Sequence, residues 1–302
     1  MYDIKIGVIG VGGAGKYHSN ILKKLCKEVY VYDIRSDIAQ KVANELRVKV
    51  CKSLDELLRI VDAAYVCTPP YTHEEVIKRI CEEGKHIFCE KPLCVTVKEA
   101  ERIVNYVKKS GVLFMMGFVL RFTGIATKVK ELIEKGNLGD IINAWFFDVR
   151  PPYVLGIGGW RTRRKYNGGI FEQTVHEIDL IRWLVGEPAT VYAVGGNYVL
   201  KEFDYEDNIV YLMKMKNNAI TTLISSISAK DGLRDYGIVG SNGTIIVKGS
   251  SIYFNRSEIT YTKWDPFERE DEYFIKCVKE GTRPFVNEID GYRAQVLSLI
   301  HI

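Results

Sequence analysis

Over its first 120 residues the sequence alternates short apolar runs with longer segments of helical periodicity. Strands that alternate with helices are typical of a parallel sheet with helices on both faces. The pattern therefore predicts an α/β domain with a doubly wound parallel sheet over residues 1–120. The predicted strands are Ile4–Ile9, Val29–Tyr32, Val48–Cys51, Ala63–Cys67, His86–Cys89 and Val112–Met116; the predicted helices are Lys16–Leu25, Asp37–Leu46, Leu54–Ile60, Thr72–Glu83 and Thr96–Ser110.

The second part of the sequence has longer alternating apolar and polar runs, which begin at about residue 140. Such runs predict strands with one covered face, and Asn217–Asn218 and Ser241–Gly243 predict hairpin turns between them. We therefore place a boundary near residue 120, followed by an α+β domain with a largely antiparallel sheet over residues 121–302. The predicted strands are Ile141–Val149, Val191–Tyr198, Asn208–Met215 and Ala219–Ser228; the predicted helices are Thr123–Lys135, Ile170–Val185, Glu270–Lys279 and Glu288–Ile302, the last without a cap signal, as expected of a chain truncated there.

Composition restricts the class of protein. The 302 residues are 47% hydrophobic and 26% charged, and a net charge of only +4 offers no extended surface for nucleic acid. Seven cysteines are scattered without a CxxC pair, which favours reduced thiols in a cytoplasmic protein over a disulfide framework. No apolar run reaches the ~18 residues that span a bilayer, and the amino terminus lacks a signal-peptide pattern. We expect a cytoplasmic protein without a membrane or nucleic-acid partner.

The first predicted strand runs into a glycine cluster, Gly10-Val-Gly12-Gly13-Ala-Gly15, which opens a helix. In this G-x-G-x-x-G pattern the glycines let the backbone approach a pyrophosphate, which the amino end of the helix attracts. Asp33, 18 residues past the last glycine, ends the second strand, where a carboxylate accepts hydrogen bonds from a ribose. The alternative is a glycine-rich turn followed by an ordinary surface aspartate. The combination favours dinucleotide binding, with NAD preferred because Asp33 repels a 2′-phosphate, while Arg35 leaves room for NADP.

Residues 68–73, with the sequence TPPYTH, follow the predicted strand Ala63–Cys67. Ligands of a doubly wound sheet collect beyond the carboxyl ends of its strands, so this loop is a second candidate for the cofactor site. Pro69 and Pro70 stiffen the chain and remove two amide donors. The alternative is a plain entry loop in which Thr72 caps the next helix.

A charged pair, Glu90-Lys91, ends the predicted strand His86–Cys89 and precedes Pro92. Burial of a lone lysine is unfavourable and lowers its pKa, which makes proton exchange near neutral pH feasible. Lys91 lies on the same sheet edge as the glycine loop and is therefore a candidate catalytic residue. The alternative is a surface lysine paired with Glu90, although adjacent side chains on a strand point to opposite faces.

The helix predicted to begin near residue 170 carries Glu172, His176 and Asp179 on one face. An imidazole between carboxylates suits an acid–base relay, and a satisfied structural histidine is the alternative. The segment lacks the second histidine of a zinc motif, so no metal is predicted. The basic run Arg161–Lys165 follows Trp160; it is either a solvated loop or a contact for a phosphate or carboxylate.

Five segments in this order resemble the glucose–fructose oxidoreductase, inositol dehydrogenase and MocA family: GVGGAGKYH, CTPPYTH, CEKPL, the Gly159–Arg161 turn and GGIFEQTVHEIDLIRWLVGEP. The resemblance covers nearly the whole chain. It implies a Rossmann domain followed by an α+β domain whose large open sheet forms homodimers or homotetramers. It also implies a catalytic role for Lys91, a cis peptide to Pro92, and a catalytic pair at Glu172 and His176. The family commonly has aspartate where this chain has Glu172, whose side chain is longer.

The sequence and the resemblance together predict an NAD(P)-dependent oxidoreductase that transfers a hydride between nicotinamide and a secondary alcohol or ketone of a sugar or cyclitol. Lys91 or His176 would handle the hydroxyl proton. The alternatives are a glycoside hydrolase that uses NAD transiently and a non-catalytic dinucleotide sensor. The catalytic candidates are Lys91, His176 and Glu172; the cofactor-binding candidates are Gly10, Gly12, Gly13, Ala14, Gly15, Asp33, Ile34, Arg35, Thr68, Pro69, Pro70, His73, Glu90, Lys91, Trp160 and Arg161.

Overall fold

A computed structural model describes residues 1–152 and 157–299, and the chain divides into two units. The first unit comprises Met1–Phe118 together with Phe267–Gln295, and the second comprises Val119–Pro266 together with the chain from Val296 onward. The sequence pattern assigned residues 267–295 to the second domain, whereas their contacts place them in the first unit. The predicted end of the last helix at Ile302, and the truncation inferred there, lie outside the described residues.

The first unit has a sheet of six parallel strands in the order β3-β2-β1-β4-β5-β6. Its central strand β4 is apolar throughout because helices cover both faces of the sheet, and all four of its residues are buried. The elements are β1 (Tyr2–Ile9), α1 (Gly13–Leu25), β2 (Cys26–Tyr32), α2 (Ser36–Leu46), β3 (Lys49–Val50), α3 (Leu54–Ile60), β4 (Ala63–Val66), α4 (His73–Glu82), β5 (His86–Glu90), α5 (Val97–Ser110) and β6 (Phe114–Gly117). This confirms the predicted doubly wound parallel sheet.

The strand order reverses direction between β1 and β4, which lie side by side although they are far apart in the chain. Such a switch point leaves a crevice beyond the carboxyl ends of the two strands, where ligands of this architecture bind. The glycine loop follows β1 and residues 68–73 follow β4, so both predicted cofactor loops lie at this point.

The second unit has an eight-stranded sheet in the order β14-β13-β12-β11-β7-β10-β9-β8. Its neighbouring strands are antiparallel except for β7 and β10, which run parallel. The prediction of a mainly antiparallel sheet is confirmed, with hairpins at both predicted turns. The elements are α6 (Gly124–Glu134), β7 (Ile141–Val149), α7 (Arg164–Asn167), α8 (Phe171–Leu184), β8 (Pro188–Gly196), β9 (Asn208–Met215), β10 (Ile220–Ser226), β11 (Tyr236–Gly240), β12 (Thr244–Lys248), β13 (Ser251–Phe254) and β14 (Ser257–Ile259). The helices that follow, α9 (Pro266–Glu280) and α10 (Glu288–Leu299), belong mostly to the first unit.

Burial alternates along the strands of the second sheet because only one face is covered. In β9, for example, Ile209, Tyr211, Met213 and Met215 are buried while the residues between them are not. Helix α8 packs on the covered face, against β7 and β10. Three short 3-10 helices, Pro70–Thr72, Val119–Phe122 and Ile157–Thr162, connect the regular elements.

Two further findings bear on the class of protein. Among the described residues, no helix combines the length and the apolar character that a membrane crossing requires. All seven cysteines lie in the described part of the chain and are free thiols, six of them buried.

Candidate active site

The glycine loop joins the carboxyl end of β1 to the amino end of α1. Gly10 has a φ of +83°, and an ideal Cβ there would lie 2.9 Å from the amide nitrogen of Thr68. A Cβ on Gly15 would lie 1.9 Å from the carbonyl oxygen of Gly10, so only glycine lets α1 begin this close to the strand. By contrast, a Cβ on Gly12 or Gly13 would meet no atom of the described residues within 4 Å. The loop thus presents backbone amides in an open cradle at a helix amino end, which fits a pyrophosphate.

Asp33 lies directly after β2, beside the glycine loop. Its carboxylate accepts a hydrogen bond from the amide of Val11 at 3.0 Å and another from the amide of Arg35 at 3.0 Å. The first of these bonds ties the carboxylate to the loop. The guanidinium Nε of Arg35 lies 3.8 Å from Asp33 Oδ1, and Ile34 is exposed between the two. This is the placement that a ribose-binding carboxylate requires; ribose binding itself stays a prediction.

The loop after β4 is closed by its own hydrogen bonds. The hydroxyl of Thr72 donates to the hydroxyl of Thr68 at 2.7 Å, and it does not cap α4. His73 is fully buried; its Nε2 lies 2.7 Å from the carbonyl oxygen of Thr68, and its Nδ1 lies 3.1 Å from the carbonyl oxygen of Leu93. Burial lowers the pKa of His73, so the ring is neutral. His73 therefore ties this loop to the segment after β5, and cofactor contacts by residues 68–70 stay a prediction.

Glu90 is the last residue of β5, and the half-buried Lys91 follows it at the carboxyl edge of the sheet. The backbone amide of Lys91 donates to Glu90 Oε2 at 3.0 Å. The peptide between Lys91 and Pro92 is cis, as the resemblance implied. Because β1, β4 and β5 are parallel, Lys91 lies on the same edge as the glycine loop and the loop after β4.

Two residues that were not singled out in the sequence complete this part of the first unit. His18 on α1 faces Glu90 Oε1 through Nε2 at 3.0 Å and faces Asp271 on α9 through Nδ1 at 2.8 Å. His18 stands within the quoted GVGGAGKYH segment, so a polar residue on the buried face of α1 was the available signal. Asp271 lies 253 residues further along the chain, and nothing in the sequence connects the two.

Helix α8 carries the candidate residues of the second unit. All residues from Phe171 to Arg182 are buried except His176, which is half-buried. Glu172, one turn earlier, accepts a hydrogen bond from the side-chain amide of Gln173, and its Oε1 lies 3.5 Å from Nε of Arg161. His176 is thus the titratable side chain in this stretch of α8 that is accessible to a ligand.

The third acidic residue of the predicted face has a different role. Asp179 forms a two-point ion pair with Arg121, with distances of 2.8 Å to Nε and 2.6 Å to Nη2, and both side chains are buried. Arg182 lies 3.6 Å from the same carboxylate. Asp179 therefore anchors α8 to the 3-10 helix Val119–Phe122. It is not a member of the acid–base relay that the sequence predicted for this helix face.

The basic run divides between ion pairs and solvent. The Arg161 guanidinium lies over the ring of Trp160, 4.4 Å from its centroid, as well as beside Glu172. Arg164 pairs with Glu206 at 2.6 Å. Residues 163 and 165 are exposed, as the solvated-loop alternative requires. Contacts of Trp160 and Arg161 with a cofactor stay a prediction.

A buried carboxylate pair also lies between α8 and the second sheet. Glu177 Oε1 is 3.0 Å from Nη2 of Arg234, and the same nitrogen is 3.3 Å from Asp148 Oδ1. Arg150 adds a contact of 3.1 Å to Asp148. Burial and then the charge of Asp148 raise the pKa of Glu177 to about 7. The sequence placed Glu177 beside His176 but carried no sign of its partners, which come from separate strands and loops.

Comparisons with known proteins agree with this geometry. A family model described as "Oxidoreductase family, NAD-binding Rossmann fold" matches residues 4–118, and a model of the "GFO/IDH/MocA C-terminal domain" matches residues 126–246. The chain is similar to the myo-inositol 2-dehydrogenase of Thermotoga maritima, with 30% identity over 97% of this chain and 94% of that protein.

It is also similar to the 2,7-anhydro-N-acetylneuraminate hydratase of Escherichia coli, with 29% identity over 73% of this chain and 61% of that protein. A solved levoglucosan dehydrogenase, in complex with NADH and levoglucosan, has the same fold; the TM-score is 0.90 at 22% identity, over 98% of this chain and 95% of that one. The resemblance drawn from the sequence is confirmed. The chain belongs to the glucose–fructose oxidoreductase, inositol dehydrogenase and MocA family of oxidoreductases, and its first unit has the family's NAD-binding Rossmann fold.

Proposed function

We propose that this protein is an NAD-dependent dehydrogenase that acts on a secondary alcohol, or on the corresponding ketone, of a sugar or cyclitol. The observation that carries the proposal is the position of Lys91. It follows β5 on the same sheet edge as the open glycine loop, and its backbone is held by Glu90. The names of the similar proteins, which act on myo-inositol or bind levoglucosan, support this substrate class.

The chain's own residues manage the proton of this reaction. When bound, the nicotinamide supplies or accepts the hydride. During oxidation the uncharged amine of Lys91 takes the proton of the reacting hydroxyl. During reduction the positive charge of its ammonium form stabilises the developing alkoxide, and the ammonium returns the proton. His176 is the second candidate for this proton, with Glu172 one helical turn away as the carboxylate that orients it.

The test is a screen of inositols, sugars and nucleotide-sugars for NADH formation by the wild type and three variants. We expect Lys91→Ala to lower kcat by about 10²–10⁴-fold, as loss of a general base does. Lys85→Ala is the matched control, since this lysine is also half-buried and precedes the amino end of the same strand. His176→Ala separates the two proton acceptors. Unchanged activity in Lys91→Ala would rule out its catalytic role.

A second candidate function is a reaction in which NAD is reduced and reoxidised within one turnover. The similarity to a hydratase is compatible with this candidate, because the addition of water involves no net oxidation or reduction. Such an enzyme consumes substrate without net NADH formation, so product analysis by chromatography beside the NADH assay distinguishes the two. Substrate loss with no accumulation of NADH would favour this candidate over the dehydrogenase.

We further propose that the protein prefers NAD to NADP. The Asp33 carboxylate, which two backbone amides hold in place, would repel a 2′-phosphate. Arg35 would attract a 2′-phosphate, but its guanidinium lies beside the Asp33 carboxylate. Fluorescence titration with NADH and NADPH tests this preference. Tighter binding of NADPH would contradict it.

The uncovered face of the second sheet carries several exposed apolar side chains. On its uncovered face Val194 is paired in register with Val210, and Val210 with Ile224; in the next row Tyr192 is paired with Leu212. These side chains are exposed, Val194 to 76% and Tyr192 to 71%. A contiguous apolar patch on a sheet face is typical of a subunit interface. We propose that the protein forms a homodimer or homotetramer through this face.

A further inference from the structure

His18 is held from both sides of its ring within the first unit. Its Nδ1 contacts both carboxylate oxygens of Asp271, at 2.8 and 3.0 Å, and its Nε2 contacts Glu90 Oε1 at 3.0 Å. The other oxygen of Glu90 accepts the backbone amide of Lys91 at 3.0 Å. A continuous set of hydrogen bonds therefore runs from α9 through α1 to the residue that we propose as the proton acceptor.

The surroundings of His18 exclude water. The imidazole and the Asp271 carboxylate are fully buried. The rings of Phe88 and Phe267 lie 5.1 and 5.6 Å from the imidazole centroid, and the ring of Tyr65 lies at 5.4 Å. In such an environment each hydrogen bond to a charged group is strong, and each missing partner is costly.

The protonation state of the ring follows from its partners. Burial alone lowers the pKa of His18, but the charge and hydrogen bond of Asp271, and then those of Glu90, raise it well above 6.5. A protonated imidazole has two N–H donors, one for each carboxylate, whereas a neutral ring has one. The ring therefore donates to both Asp271 and Glu90 as an imidazolium.

Stability alone does not account for this arrangement. A buried charged cluster is often no more stable than well-packed apolar residues of similar volume. The site already contains aromatic rings that would favour an apolar neighbour. The imidazolium, unlike an apolar side chain, donates a hydrogen bond that fixes the orientation of the Glu90 carboxylate.

We propose that His18 is a positioning residue that acts through Glu90 to fix the backbone at Lys91. This inference rests on the proposed catalytic role of Lys91. The Asp271 carboxylate orients the imidazolium, the imidazolium fixes one oxygen of Glu90, and the other oxygen fixes the Lys91 amide. The Lys91 side chain thereby extends from a backbone that is held in one position at the sheet edge. This position matters because small displacements of a reacting group slow a reaction strongly.

The first test needs neither cofactor nor substrate. In cofactor-free protein labelled with ¹⁵N, we expect the His18 ring to show the signals of a doubly protonated imidazole at pH 8. The Lys91 amide should shift and exchange faster in His18→Asn and in Glu90→Gln. His86→Asn is the matched control: His86 lies at the opposite end of β5, where its Nδ1 accepts from the Leu113 amide at 3.1 Å. A neutral His18 ring, or an unchanged Lys91 amide in both variants, would overturn the proposal.

The second test is kinetic. With the substrate found by the screen, we expect kcat of His18→Asn to fall about 10- to 100-fold while the Kd for NADH is unchanged. The double variant with Glu90→Gln should lose no more than either single variant, because both act through one connection. A residue that only stabilises the fold would lower Tm and leave kcat per folded molecule unchanged, which would contradict positioning. If no substrate is found, the proposed function fails while the NMR result still decides the role of His18.

Discussion

Glu177 shows how one buried carboxyl couples the second unit to pH. Burial, followed by the charge of Asp148, raises its pKa from 4.5 to about 7. Between those values the native protein keeps a proton that the unfolded chain releases. The contribution of Glu177 to stability therefore falls as pH rises from about 4.5 to about 7, and it stays lower above that range.

Glu177→Gln should remove this pH dependence, because an amide cannot ionise. We expect the free energy of unfolding of the variant minus that of wild type to increase by about 3 kcal/mol between pH 4.5 and pH 8, so that the variant gains stability relative to wild type. Urea unfolding at a series of pH values measures the difference. Curves for the two proteins that stay parallel over this range would show that Glu177 is not the responsible group.

Single residues also mark the limit of reasoning from sequence. Asp33 and Lys91 could be singled out because each follows a predicted strand at the edge where ligands bind, and that edge is set by local pattern. The partners of His18 and of Glu177 could not be predicted, since Asp271, Asp148 and Arg234 meet them only through tertiary packing. Local periodicity holds no information on such contacts.

The glycines of the loop between β1 and α1 have two different roles. Gly15 has no room for a Cβ because of the Gly10 carbonyl, whereas Gly12 faces no atom of the described residues within 4 Å. Gly15 is therefore required for folding, whereas Gly12 leaves space for a ligand.

Substitution of these two glycines should give opposite results. We expect Gly12→Ala to melt like wild type but to bind NADH about tenfold more weakly, a loss of about 1.4 kcal/mol. Gly15→Ala should lose about 1–3 kcal/mol of stability through overlap with the backbone. Thermal melting and NADH fluorescence on the same samples check both. Normal NADH affinity in Gly12→Ala would contradict the assignment of the cradle.

Helix α8 depends on the buried pair of Asp179 and Arg121. Asp179→Asn should destabilise the protein by about 3–5 kcal/mol, because it leaves the arginine charge buried without its carboxylate. Arg121→Met combined with Asp179→Leu should recover much of that loss, since both charges of the pair are then removed and Arg182 keeps its ion pair with Glu187 at 2.7 Å. Denaturant unfolding of the three proteins measures this. A single variant as stable as wild type would contradict the anchoring role.

The exposed apolar face of the second sheet leads us to expect that the protein forms oligomers. Val194→Lys and Leu212→Lys place charges in the middle of the apolar patch, so both should convert an oligomer to a monomer. Val199→Lys is the control, since Val199 is also exposed but lies outside the strands. Light scattering after size exclusion measures the mass. A wild type that is already monomeric, or variants of unchanged mass, would contradict the proposal.

The two kinds of sheet could be predicted because strand patterns differ between them: continuous apolar runs in the first and alternating runs in the second. Pairing across long distances could not. The parallel pairing of β7 with β10, and the addition of residues 267–295 to the first unit, depend on contacts between segments far apart in the chain. No local signal in either segment names its partner.

Residues 267–295, which complete the first unit, are synthesised after most of the second unit. Phe274 on α9 lies 5.5 Å from the ring of Tyr65 and 5.7 Å from that of Phe88, and the carbonyl of Val286 accepts the Met116 amide. During synthesis the ribosome releases the glycine loop early and these partners late. We therefore expect the first unit to complete its aromatic core only after most of the polypeptide has emerged from the ribosome.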